Sequence, residues 1–243
     1  MRKFTQNINL PIVLRVLGWL LMIEGVYMLL PLCVSACYGE ETTLRAFLYS
    51  ALITVGTGAV MAFCIHPKNL NMGSREGLLL TAIIWAFFSA FGMLPFLFSG
   101  VCHSVANAYF ETMSGFTTTG ATILDDLSAV PHGLLFWRSA THWLGGMGII
   151  LFTLAVVPML NSTGGIALFN AEVTGITHDR MRPRVSQTAK DLWFLYIGMT
   201  VVLTLLLVKP MGFFDAICHA LATISTGGFS TKADGLNYWH SYY

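Results

Sequence analysis

The stretch HSVANAYFETMSGFTTTGAT, residues 103–122, decides how the rest of the chain is read. Its first part, 103–115, suits a helix about 20 Å long at 1.5 Å per residue, which reaches only part way across a bilayer. Its second part, FTTTGAT at 116–122, has no charge, and its threonines and glycine favour extended backbone over helix. A short helix followed by an uncharged strand predicts a re-entrant segment. Irregular backbone at membrane depth is tolerated only where it is buried in protein or lines a water-filled cavity. For one copy alone, a Thr/Gly-rich external loop beside an amphipathic helix is an equal reading.

A second copy separates the two. Setting Gly120 over Gly228, an offset of 108, places Asn107 on Asp215, Ala108 on Ala216, Thr117 on Ser225, Thr118 on Thr226 and Thr122 on Ser230. The same offset lays the apolar run 77–99 over 192–208, so the unit is a span, a half-helix and a Gly/Thr strand. Such strands arranged around an axis supply rings of carbonyl oxygens that replace a cation's hydration shell. Each half-helix aims the negative end of its dipole at the same place. With no acidic residue in the strands, a dehydrated monovalent cation fits best. Thr118, Thr119 and Gly120, with Thr226, Gly227 and Gly228, are the expected ligands, mostly through backbone oxygens.

Outward from the repeat, 55% hydrophobic and only 10% charged residues place the chain in a membrane. Five candidate spans lie at 16–38, 46–65, 77–99, 139–160 and 192–208. Arg2, Lys3, Arg15, Lys68, Arg75, Arg180, Arg182, Arg184 and Lys190 fall on one side of them. Arg45, Arg138, Lys209 and Lys232 on the other side are diluted by Glu40, Glu41, Asp125 and Asp126. An excess of cations marks the cytoplasmic face, so the N-terminus is expected there. Val34-Ser35-Ala36-Cys37 resembles a lipoprotein cleavage box, but the apolar stretch ahead of it is too long for a signal peptide and an uncleaved first span is expected.

Single residues are read against plainer roles. Glu111 lies in the first half-helix, where an unpaired charge is costly, and Arg138 is the opposite charge the topology brings nearest. The pair is expected to brace the loop; the plainer alternative is a partly solvated Glu111 at the outer vestibule. Gly145, Gly146 and Gly148 are expected to admit a close neighbour helix rather than to hinge, and Pro95 and Pro158 mark sites for kinks. Glu24 is expected to be paired or near water, with membership of a proton path as the less favoured alternative. The five cysteines are read as small apolar fillers and the tryptophans as lipid-facing or interfacial. His66, His132, His142 and His178 have no metal spacing, and no set of catalytic residues appears. The chain is not expected to be an enzyme.

TTTGAT after the first half-helix, STGGFS in the second copy, WLGGMGI at 143–149 and AEVTGITHDRMRPRVSQTAKDLW at 171–193 together resemble the Trk/Ktr/HKT potassium transporters, the TrkH-type subunit most of all. The resemblance implies an all-α polytopic membrane protein built from span–pore helix–span repeats as in potassium channels, with two extra N-terminal transmembrane helices. It divides the chain into an N-terminal helix pair at 1–70, a first repeat at 71–165, a cytoplasmic connection at 166–190 and a second repeat at 191–243 that lacks its return helix. Four such repeats surround one filter in that family, so the chain is expected to be the N-terminal half of a longer subunit.

The implied function is potassium uptake across the bacterial inner membrane, with K+ as the transported ion and no cofactor. The implied partners are a second copy of the full-length subunit, a cytoplasmic nucleotide-binding TrkA-type regulatory subunit and the lipid bilayer, with no nucleic acid. A sodium-permeable or poorly selective relative of the same fold, or a non-conducting fragment acting only in assembly, is the alternative. In the family a Ser at a filter position accompanies sodium permeation, and Gly120 and Gly228 therefore favour potassium.

Overall fold

The computed structural model describes residues 8–67, 73–161 and 185–239. Its regular elements are helices: α1 (Leu10–Tyr27), α2 (Leu29–Cys37), α3 (Glu41–Cys64), α4 (Ser74–Gly92), α5 (Leu94–Phe98), α6 (Val105–Phe116), α7 (His132–Asn161), α8 (Val185–Met211) and α9 (Phe213–Ile224). Single 3-10 turns occupy Leu127–Ala129 and Gly235–Trp239. Leu10–Cys37, Glu41–Cys64, Arg75–Phe98 and Lys190–Met211 are long and apolar enough to cross a membrane. The 30-residue α7 covers the remaining expected span. The chain is thus an all-helical, multi-pass membrane protein.

Two of these crossings are broken helices, each for a stated reason. Pro31 and Pro95 have no N–H for the carbonyl four residues earlier, and their rings crowd it. The first crossing accordingly breaks at Met28 and the third at Met93. At the second break Phe96 N–H turns to the Met93 carbonyl at 3.1 Å, which leaves the Gly92 carbonyl without its helical donor. Trp137 Nε1 on α7 supplies that donor at 2.9 Å. Trp137 is therefore fully buried, contrary to the lipid-facing expectation, because its indole N–H is committed to an internal carbonyl. Pro158, the other expected kink, lies within α7, which continues to Asn161. The first crossing also starts at Leu10 rather than 16, with Pro11 in its first turn, so Arg15 lies inside the helix.

The N-terminal pair packs lengthwise, α1 on α3, and α4 lies against both α1 and the half-helix α6. Helix α7 touches α6 on one side and α9 on the other, while α8 runs beside α9. Phe47, Phe116, Leu134 and Trp137 form the centre of the apolar core at this junction. Of the cysteines, Cys102 and Cys218 are buried as expected, whereas Cys33, Cys37 and Cys64 are exposed on the outside of the bundle and fill nothing. Residues 166–184 of the expected cytoplasmic connection lie outside the described residues, as do Arg2, Lys3, Lys68, Arg180, Arg182, Arg184 and His178.

Candidate functional site

The two half-helices obey the offset of 108 from end to end: α6 spans Val105–Phe116 and α9 spans Phe213–Ile224. Both stop in the same way. Thr118 N–H donates to the Gly115 carbonyl at 3.0 Å and Thr119 N–H to the Ser114 carbonyl at 2.9 Å. Thr226 N–H and Gly227 N–H repeat this on Thr223 and Ala222 at 2.9 and 2.8 Å. These crossed bonds are a Schellman motif, which satisfies carbonyls that a helix end leaves without donors and reverses the chain. The motif needs a left-handed residue, usually glycine, at its turning point. Here that residue is a β-branched threonine in both copies, Thr118 at φ 54° and Thr226 at φ 57°.

Two residues further on, Gly120 and Gly228 are left-handed as well, at φ 77° and 93°. The strands are therefore not uniformly extended, as composition suggested. Their left-handed residues at alternate positions interrupt the β geometry that would turn successive carbonyls to opposite sides. The helix begins after Ser104, two residues later than expected, and ends at Phe116, one residue later, where the Schellman bonds close it.

The two loops meet. A Cβ on Gly120 would overlap the Gly227 carbonyl oxygen, so the first glycine lies directly against the second loop. Helix α7 carries the junction: a Cβ on Gly145 would overlap the Phe116 carbonyl, and one on Gly146 would crowd Ser225 and the Tyr196 hydroxyl. Both glycines therefore serve close packing, as expected. Of the six expected ligand residues, Gly227 is buried in this junction, while Thr119, Thr226 and Gly228 are exposed and Thr118 and Gly120 partly so. The Thr117 and Thr119 hydroxyls share a hydrogen bond of 2.8 Å.

Behind the loops Glu111 and Arg138 form a buried ion pair, Arg138 Nε donating to Glu111 Oε1 at 2.7 Å. The carboxylate also accepts from the Thr122 hydroxyl at 2.9 Å and from Ile123 N–H at 3.0 Å, so it fastens the outgoing end of the first strand. The guanidinium reaches further than the sequence suggested. It donates to the Thr122 hydroxyl and to the Ser230 carbonyl, both at 3.1 Å, and its carbon lies 4.2 Å from the centre of the Phe229 ring. One side chain thus ties both strands. Buried ionic groups are tolerated when their hydrogen-bonding capacity is used in this way.

The second copy uses different chemistry at the matching positions. His219, which the offset sets under Glu111, has Nε2 3.0 Å from the Ser230 hydroxyl, with Nδ1 2.7 Å from the Asp215 carbonyl. The carbonyl can only accept, so Nδ1 carries the proton and Nε2 accepts from Ser230. Asp215 in turn accepts from the Thr231 hydroxyl at 2.7 Å. His219 escaped the sequence reading, although the offset itself marked the position. The contacts of His142, Phe229 and Glu40 were invisible to it, because each acts across more than 80 residues of chain. Glu24 departs from expectation: it is fully buried, and among the described residues neither carboxyl oxygen has a hydrogen-bond partner.

Comparison with known proteins places this geometry. Residues 43–243 match the TrkH family, described as cation transport protein. The Trk system potassium uptake protein TrkH of Halomonas elongata is 37% identical over 236 residues, covering 96% of this chain and 48% of the relative. Its Escherichia coli K12 namesake is 38% identical over 230 residues, covering 93% of the chain and 47% of the relative. The crystal structure of the potassium transporter TrkH from Vibrio parahaemolyticus superposes with a TM-score of 0.82 at 33% identity, over 97% of this chain and 47% of that one. The chain spans about half the length of the curated relatives it matches. On its sequence and on its fold, this chain belongs to the TrkH cation transport family, whose members are transporters and not enzymes.

Proposed function

We propose that the loops at 117–122 and 225–230 are two strands of a potassium-selective filter, and that the chain serves potassium uptake as part of a longer TrkH-type subunit. The observation that carries this reading is the matched pair of Schellman-ended half-helices whose strands meet at Gly120 and Gly227. Thr118, Thr119, Gly120, Thr226, Gly227 and Gly228 contribute oxygens to dehydrated K+, mainly from the backbone. Glu111 and Arg138 support the filter by holding the outgoing ends of both strands. Relatives named as potassium uptake proteins agree with this ion. No cofactor takes part.

The charge distribution orients the chain in a bacterial inner membrane with its N-terminus in the cytoplasm and the loop mouths outside. The basic connection at 166–190 then faces the cytoplasm, where a nucleotide-binding subunit of the TrkA type docks, and the full-length subunit pairs with a second copy. The test is cation competition in cells or vesicles containing the longer subunit. Rubidium uptake should persist in excess sodium and yield to added potassium. Equal permeation of rubidium and sodium overturns the potassium assignment.

A further inference from the structure

The two loops share a backbone but differ at four positions; two are Thr-to-Ser exchanges, and α7 faces the other two. Where the first strand has Thr119 and Ala121, the second has Gly227 and Phe229. His142, fully buried on α7, explains the pair. Its ring stacks on Phe229 with centroids 4.0 Å apart and planes 17° from parallel. A Cβ on Gly227 would overlap its imidazole. Gly227 is not among the residues with positive φ, so backbone freedom does not require a glycine there; the volume of His142 does.

Among the described residues, neither ring nitrogen of His142 makes a hydrogen bond of ordinary geometry. Burying polar atoms unpaired is costly, and a leucine would occupy similar volume without that cost. The feature only a flat ring offers is the fit between the Gly227 backbone and the face of Phe229. Arg138, one turn earlier on α7, touches the same Phe229 ring and holds the Ser230 carbonyl. The second strand is clasped by a helix of the first repeat.

We propose that His142 is a positioning residue that sets where the Gly227 and Gly228 carbonyls lie, and through them how well the pore distinguishes monovalent cations. The proposal rests on the reading of these strands as a filter. Removing the ring leaves the Gly227 segment free to shift into the space it vacated, and carbonyl coordination tuned to one ion tolerates such a shift poorly.

The test uses the longer subunit in vesicles, with folded protein normalised by size-exclusion chromatography. His142→Ala should lower the rubidium-over-sodium uptake ratio about fivefold, equivalent to about 1 kcal/mol, while total cation flux persists. Gly227→Ala alone should abolish uptake, and the double variant should recover it, because the vacated ring space accepts the new methyl group. Should His142→Ala fail to assemble, His142→Asn, a smaller planar group, carries the same comparison and rescue. A selective wild type whose ratio survives loss of the ring, with no rescue of Gly227→Ala, overturns the role of His142 alone. A wild type that does not discriminate overturns the filter reading and this role with it.

Discussion

Thr118 and Thr226 occupy a backbone conformation that costs a β-branched residue on the order of 1–3 kcal/mol. Each is held there by the two crossed bonds at its helix end. Replacing either by glycine should therefore raise the thermal midpoint of the purified subunit by relieving about 1 kcal/mol, while weakening rubidium-over-sodium discrimination. A thermal shift assay alongside competition uptake reads both effects, and a loss of stability with unchanged discrimination would contradict the assignment. At Glu111 the balance runs the other way. Glu111→Gln leaves the Arg138 charge buried without its counter-ion, a change that costs about 3–5 kcal/mol when one partner of a buried pair is lost. Thermal stability should fall accordingly and sodium should begin to compete. Unchanged uptake and selectivity would sink the bracing role.

At the level of elements, the start of α7 depends on a residue far away in the chain. Glu40, in the connection between α2 and α3, accepts from His132 N–H at 2.6 Å and from Gly133 N–H at 3.1 Å. A carboxylate here satisfies donors that the helix itself cannot, and it meets the positive end of the helix dipole. The His132 ring adds a contact to the same carboxylate at 3.0 Å and stacks on Tyr38 at 3.9 Å. The N-terminal helix pair is thereby locked to the helix that carries Arg138 and His142. Glu40→Ala should cost about 0.5–2 kcal/mol, the ordinary range for losing an N-terminal cap, read as a lower midpoint in thermal unfolding. A midpoint unchanged from wild type would show that the cap does not contribute. Sequence reading counted Glu40 only as a surface charge.

Across the whole molecule, α8 presents a broad apolar flank, with Phe194 75% and Leu205 70% exposed, as expected of a helix that meets lipid or further transmembrane helices. A ring of carbonyls needs strands all around the axis, and the described loops provide two of them side by side. The 243-residue chain reconstituted alone is therefore expected to pass no rubidium, whereas the longer subunit conducts; flux through the chain alone would overturn this.

The long apolar runs, the half-helices and the offset of 108 were legible in the sequence because each depends on local composition or on a repeat. The Glu111–Arg138 pair was legible too, since an intramembrane charge demands a partner and few were available. The left-handed threonines were not, because side-chain preference favours extended backbone there and the crossed bonds of the helix end override it. Nor were the Arg138 bridge to Ser230 and the His142–Gly227–Phe229 contact. These join residues tens of positions apart, and only packing of α7 between the two loops brings them within a few ångströms. Local composition and repetition determined the units of this protein. Which strand touches which, and what holds them, was decided by the tertiary structure, because contact across the chain depends on how helices pack and not on spacing along it.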